Sequence, residues 1–209
     1  MLSHIQKLIA QGEHQQLDFK FEISDAKKIA RSMVAFANTD GGTLLIGVKD
    51  NDIIAGVRSD EEVYMVDAAA GMYCKPEIKC ITKNWIEQGK SVLEVVIPKS
   101  TTPPHFAQND EGKWMAYVRV KDQNLLANNV WLKVLKRKQE NKGTMIRYRE
   151  SETILLNYLS EHPTITISKF CRIAIITINK AETILVNLIA LGIIKMEITE
   201  EGANYFAVQ

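Results

Sequence analysis

"AFANTDGGTLLIGVKDNDIIAGV", Ala35 to Val57, is the stretch whose reading decides the fold. Its first residues continue a helical pattern that begins at Ala26, with Ile29, Met33 and Phe36 on one face and Ala30 and Ala37 beside them. Asn38-Thr39-Asp40-Gly41-Gly42 stops that helix, because Asn and Gly tolerate the positive φ of a chain reversal. Thr43 to Val48 then reads as a buried strand, with Ile53 to Val57 as its hairpin partner across Lys49 to Asp52. A glycine turn can also cradle phosphate, but a P-loop needs a Lys-Ser or Lys-Thr after its glycines, and here Thr43-Leu44-Leu45 follows. The turn leaves a helix rather than entering one, so the dipole end beside it is negative. ATP is not supported as a cofactor.

Outward from that stretch the pattern is mixed. Leu2 to Ala10 is a short amphipathic helix closed by Gln11-Gly12, and Leu17 to Ile23 alternates as a strand through Leu17, Phe19, Phe21 and Ile23. Ser24 is placed to cap the helix that follows. Downstream, Glu61 to Met72 reads as a helix, and Glu77 to Trp85 and Ser91 to Ile97 read as strands around Gln88-Gly89. Pro98 to Gly112 is a loop, Trp114 to Val120 a strand, and Asn129 to Lys138 a helix that turns basic at its end. The first region is therefore α+β, a mixed, mostly antiparallel sheet with flanking helices. The second is different: helices at Ser151 to Glu161, Ile167 to Ile173 and Thr177 to Leu191, then strands at Ile193 to Thr199 and Ala203 to Val208. Three helices and a hairpin are the layout of a winged helix-turn-helix. The polar segment Glu140 to Tyr148 separates the two, giving domains at 1–140 and 148–209.

Composition narrows the classes of function. The 209 residues carry a net charge of +1, which divides as +2 up to Lys142 and −1 from Gly143 onward. Neither part is the strongly basic body of a protein that coats nucleic acid nonspecifically, so any such contact must come from a local patch. The apolar runs are too short for a bilayer, and the start of the chain does not read as a signal peptide. Cys74, Cys80 and Cys171 form no CxxC pair, and His4, His14, His105 and His162 show no metal-ligand spacing. The expectation is a cytoplasmic protein with no membrane contact, inert thiols and His105 as a loop residue.

"GEHQQLDFK" (Gly12 to Lys20), "AFANTDGGTLLIGVKDNDIIAGV", "PPHF" (Pro103 to Phe106) and "AYVRV" (Ala116 to Val120) occur in that order. Together they resemble the Schlafen AlbA-type DNA-binding domain family over roughly the first 130 residues. The resemblance implies a nucleic-acid-binding protein, DNA-binding and transcriptional-regulator-like, as bacterial members are named. Vertebrate Schlafen cores are RNA-cleaving nucleases with three carboxylates, which fall by motif on Glu13, Asp18 and Asp50. In that alternative these three would be both the catalytic residues and the ligands of one Mg²⁺ or Mn²⁺, with Lys20 neutralising the phosphate. Schlafen cores pair two copies of this domain, so a chain with one copy is expected to form a homodimer.

For DNA or RNA contact the candidates are Lys20 and a strand face shared by Tyr117, Arg119 and Lys121, where a ring can stack and cations can hold phosphate. In the winged helix, the outward positions of the third helix would include Asn179, Lys180, Glu182, Thr183 and Asn187. The wing tip carries Glu200-Glu201, which repels a phosphate backbone, so a protein-interaction module is the other reading of that domain.

Overall fold

The structure is a computed structural model that describes residues 2–57, 61–139 and 149–208. It divides into two compact units, Met1–Leu126 and Ala127–Gln209.

The first unit opens with α1 (His4–Ile9), capped by Ser3 in a reciprocal box with Gln6. β1 (Leu17–Lys20) follows, then α2 (Ala26–Asn38), then β2 (Gly42–Ile46), which lies parallel to β1 with Asp18 opposite Leu44. The N-cap of α2 is Asp25, whose carboxylate accepts the Lys27 N–H at 2.8 Å, and not the expected Ser24. A charged acceptor at the positive helix end is the stronger cap of the two neighbours. After α3 (Glu61–Met72) and the short β3 (Cys74–Lys75), β4 (Ile81–Glu87) and β5 (Lys90–Ile97) form a tight hairpin. Gln88 and Gly89 both take positive φ, as a two-residue hairpin turn requires. β5 completes a four-stranded sheet in the order β1-β2-β5-β4, in which only the β1–β2 pair is parallel.

Both faces of that sheet are buried. Leu17, Phe19, Leu45 and Val92 meet Ile5 and Ile9 of α1 on one side. Leu44, Ile46, Leu93, Val95 and Ile97 meet α2 and α3 on the other. Residues paired in a parallel register share a face, so Asp18 lies with Leu44 on the α2 side.

The expected hairpin between Thr43–Val48 and Ile53–Val57 is not formed. It shrinks to one bridge, Val48 to Ile54, because the Gly47 carbonyl accepts both the Ala55 and the Gly56 N–H, at 2.8 and 2.9 Å, a bulge that interrupts the ladder. A Cβ on Gly47 would stand 2.9 Å from the Gly56 carbonyl carbon. The Val57 N–H donates to Ser91 O at 2.7 Å, so the segment joins β5 instead. The "loop" Pro98 to Gly112 contains β6 (Phe106–Gln108), which pairs with β3 and with β7 (Trp114–Met115). β8 (Tyr117–Val120) then turns back through β9 (Gln123–Leu126), a hairpin packed on α2.

The second unit begins with α4 (Asn129–Gln139). The sequence pattern places this helix with the first region, yet Val130 and Val134 lie in the core of the second unit against α7. The division thus falls after Leu126, and the expected boundary at Glu140 to Tyr148 lies outside the described residues. α5 (Glu150–Glu161), β10 (Ile165–Thr166), α6 (Ile167–Ala174) and α7 (Ile178–Ala190) follow, then the hairpin β11 (Ile194–Thr199) and β12 (Gly202–Ala207). Thr166 and Thr177 cap α6 and α7 through their hydroxyls. β10 adds to the hairpin in the order β10-β12-β11, and Leu155, Phe170, Leu185, Leu188 and Tyr205 fill the core. Among the described residues no single helix is long and apolar enough to cross a membrane.

Candidate functional site

Asp18 sits in mid-strand on β1 with only 3 % of its surface exposed. A lone carboxylate there would be neutralised or expelled, so partners must surround it. Lys20 places its ammonium 2.9 Å from Oδ2 and also donates to Phe19 O. Arg119 approaches from β8, with one guanidinium nitrogen 3.4 Å from Oδ1. That nitrogen also donates to Leu17 O at 3.1 Å and His14 O at 3.3 Å, while the other terminal nitrogen donates to Asn124 Oδ1 at 3.1 Å. The guanidinium stands 5.0 Å from the centre of the Phe36 ring. Asn124 passes the chain on to Ser32 of α2 at 2.9 Å, so β1, β8, β9 and α2 are tied through one buried polar network.

Glu13 lies at the rim of this network, where it accepts the Phe19 N–H at 2.8 Å. Burial, and then the hydrogen bond to Asp18, push its carboxyl up to about 7 from an ordinary 4.5. Asp18 goes the other way. Burial acts to raise it, but the Glu13 hydrogen bond and the charges of Lys20 and Arg119 outweigh that and hold it below the usual aspartate value. The two carboxyls therefore diverge, Glu13 favouring its protonated form and Asp18 its carboxylate.

This gives a pH dependence of defined sign. Glu13 is stabilised in its protonated form, so its contribution is complete below its ordinary value and is lost as pH rises through about 7. Asp18 contributes above its ordinary value and fails only at lower, acid pH. Wild-type protein is expected to lose about 1 kcal/mol between pH 5.5 and 8, a figure reduced for the solvent around half-exposed Glu13. Glu13→Gln mimics the protonated acid and should flatten that slope in urea unfolding measured across pH. An unchanged slope in the variant would place the titration elsewhere.

The three-carboxylate metal site is not assembled. Asp50 is exposed in the turn between Val48 and Ile54, beyond the end of β2, whereas Asp18 faces Leu44 in the strand interior. Among the described residues no three His, Cys, Asp or Glu side chains gather closely enough to hold a metal ion. Glu13, Asp18 and Asp50 therefore do not fit Mg²⁺ or Mn²⁺ as a set.

The expected Tyr117–Arg119–Lys121 face is not offered to a ligand either. Tyr117 is 7 % and Arg119 2 % exposed, because the β8 face that carries them is the one packed on α2. Lys121 is exposed but belongs to the β8–β9 turn, at φ 58°, where its N–H donates to Gln15 Oε1. Lys20 remains partly exposed beside Asp18.

On α7, Asn179, Lys180 and Thr183 are exposed, as the sequence pattern places them. Glu182 is not: it is 6 % exposed and turned toward α4, where it pairs with Lys133 and accepts from Asn129 at 3.3 Å. Arg137 of α4 likewise bonds Asn187, so the basic end of α4 is partly spent inside its own unit.

Two residues that the sequence pattern places in a helix stop and a loop are buried and fully engaged in hydrogen bonds. Asn38 is buried, accepts the His105 N–H at 2.8 Å, and donates to His105 O and Tyr117 O at 3.0 and 2.9 Å. His105 is itself buried between Ser100 Oγ at 2.7 Å and Pro76 O at 2.9 Å. The signal for both was present in "FAN" and "PPHF", but nothing local links residues so far apart. Cys74 is a buried thiol pushed up to about 12, and Cys80 is also raised, both chiefly by burial.

The family model described as Schlafen, AlbA_2 matches residues 13–128. Among solved structures, the DIP2311 protein from Corynebacterium diphtheriae is similar at 19 % identity with a TM-score of 0.45, over 65 % of this chain and 30 % of that one. The N-terminal domain of a protein described as related to the ATP-dependent DNA helicase RecG, from Nitrosomonas europaea, is similar at 20 % identity with a TM-score of 0.41. That match covers 61 % of this chain and 97 % of the other. The chain thus spans under a third of the length of the first of these structures. No curated protein matches.

Proposed function

The chain belongs to the Schlafen, AlbA_2 family, and on that premise we propose that it binds nucleic acid as a DNA-binding, transcriptional-regulator-like protein rather than cutting it. The observation that carries the binding is the exposed start of α7. Asn179, Lys180 and Thr183 stand clear there on a helix that follows a short helix and turn, with a three-stranded sheet closing the unit. That arrangement supports a winged-helix reading of the second unit, in which α7 reads a groove through amide, ammonium and hydroxyl groups. Arg172, exposed at the end of α6, adds a cation for the backbone.

In the family domain, Asp18 is committed to Lys20 and Arg119, which supports a structural role for that carboxylate. The protein acts in the cytoplasm, and a second copy supplies the partner domain. Binding should weaken steeply with salt, with a log–log slope set by the few cations engaged. Lys180→Ala should lower both affinity and slope on duplex DNA, and a duplex affinity indifferent to salt and to Lys180 would refute this reading. Cleavage of structured RNA with Mn²⁺, lost in Asp50→Ala, would replace it with the nuclease alternative. A monomer in light scattering would refute the second copy.

A further inference from the structure

β3, β6 and β7 form a small sheet whose two faces differ sharply in chemistry. Cys74, Ala107 and Met115 are mutually paired and point into the core of the first unit. Strand alternation sends the residues between them outward. Lys75 pairs with Phe106, and Trp114 pairs with Gln108, so these four share the opposite face. Trp114 is 39 % exposed there, Phe106 is half-buried, and Lys75 is exposed. Tyr73, one residue before Cys74, is half-buried against the core of the first unit, and its carbonyl accepts the Gln108 N–H at 3.0 Å.

Cations stand over two of the rings. Lys75 Nζ lies 5.9 Å from the centre of Trp114, and Lys27 Nζ of α2 lies 5.9 Å from the centre of Tyr73. Both contacts are at the outer limit of such an interaction and in solvent, so a ligand can displace them at small cost. Lys113 flanks Trp114, paired at 2.7 Å with Glu111 at the β6–β7 turn. Within the face itself the ionic groups are cationic, and the acidic residues Asp110 and Glu111 are confined to the turn.

We propose that this face is a stacking platform for the unpaired bases of a single-stranded nucleic acid, with Trp114 and Phe106 under successive bases and Lys75 and Lys27 on the phosphates. The occupant follows from the chemistry. A ring exposed on a sheet face is best met by another aromatic face, and a duplex offers base faces only at its ends. Diagonal neighbours on adjacent antiparallel strands lie about 7–8 Å apart, within reach of aromatic side chains, so the two rings can serve consecutive bases. The cations interleaved with the rings complement the phosphate charge. The inference rests on the nucleic-acid-binding reading but places a second contact on the family domain, separate from α7, and gives it a strand preference that α7 does not have.

The test uses the full chain with fluorescently labelled oligothymidylate, oligouridylate and a duplex of equal length, read by anisotropy. Trp114→Ala should weaken binding of the single strands about tenfold, roughly one base stack, and leave the duplex unchanged. Trp114→Phe keeps a ring and should recover most of the loss, which a merely structural role would not produce. Lys75→Ala should reduce the salt slope for the single strands by about one. Single-strand affinity unaffected by Trp114→Ala, or a loss equal on duplex and single strand, would overturn the platform while leaving the α7 reading standing. No binding of any nucleic acid would overturn both.

Discussion

Arg119→Ala is expected to cost about 3–5 kcal/mol, enough to leave much of the chain unfolded at physiological temperature. The side chain is almost wholly enclosed, and it neutralises a carboxylate that is equally enclosed. Truncation removes the enclosed guanidinium beside Asp18 and, with it, the second hydrogen bond to the Leu17 and His14 carbonyls and the bond to Asn124 Oδ1. Asp18 is left with Lys20 as its remaining cation in a site that water does not reach, and the void costs further packing. Lysine would not repair it, because one ammonium on a flexible stem cannot reach three acceptors held in a fork. By contrast, the Lys99–Asp40 pair, with both side chains more than half exposed, should be worth less than about 1 kcal/mol. Urea unfolding of Arg119→Ala, Arg119→Lys and Lys99→Ala checks the order. An Arg119→Ala protein within 1 kcal/mol of wild type would mean that the network is dispensable.

The second large effect lies at the two glycines after α2. Gly41→Ala is expected to cost more than about 3 kcal/mol, from a left-handed backbone and overpacking together. Gly41 takes φ +69°, and a Cβ there would stand 2.7 Å from Lys99 N and 2.8 Å from Ile97 O, both backbone atoms of the crossing chain. Gly42→Ala meets chiefly a side chain, the Phe36 ring, which has no exposed surface, with the Gln16 carbonyl oxygen 2.9 Å away as a second obstacle. The two substitutions therefore separate in a double variant. Phe36→Leu should recover part of the stability lost in Gly42→Ala and none of that lost in Gly41→Ala. Equal recovery in both would show that backbone conformation, and not the ring, is the obstacle.

Much of this architecture was legible from local pattern. The α2 periodicity, the glycine exit into β2, the Gln88-Gly89 hairpin and the three helices and hairpin of the second unit all follow from spacing and turn chemistry. What escaped was long-range. Period two shows that Tyr117 and Arg119 share a face, but only packing on α2 decides that the face is inward. Arg119 looks like a phosphate ligand until Asp18, from the other end of the domain, is placed beside it. Asp50 entered as a third ligand through the family resemblance, whereas the structure leaves it exposed in the turn beyond β2, past a bulge at Gly47. Asn129 to Gln139 has helical spacing whichever unit it joins, and only the placement of Val130 and Val134 assigns it. Trp114 to Val120 reads as one strand, but the structure breaks it at Ala116 into β7 and β8 in different sheets, and β3 and β6 are too short to show alternation.

The Asp18–Arg119 contact also sets how this domain can be cut and moved by gene rearrangement. β1 stands near the start of the domain and β8 near its end. A copy interrupted anywhere between them keeps Lys20 beside Asp18 but loses the enclosed guanidinium that ties Asp18, the Leu17 and His14 carbonyls and Asn124 together. The smallest segment that can be transplanted intact therefore runs through Leu126. A fragment that stops at β7 would preserve the whole central sheet and still lack the polar cross-link that closes the two ends of the domain on each other.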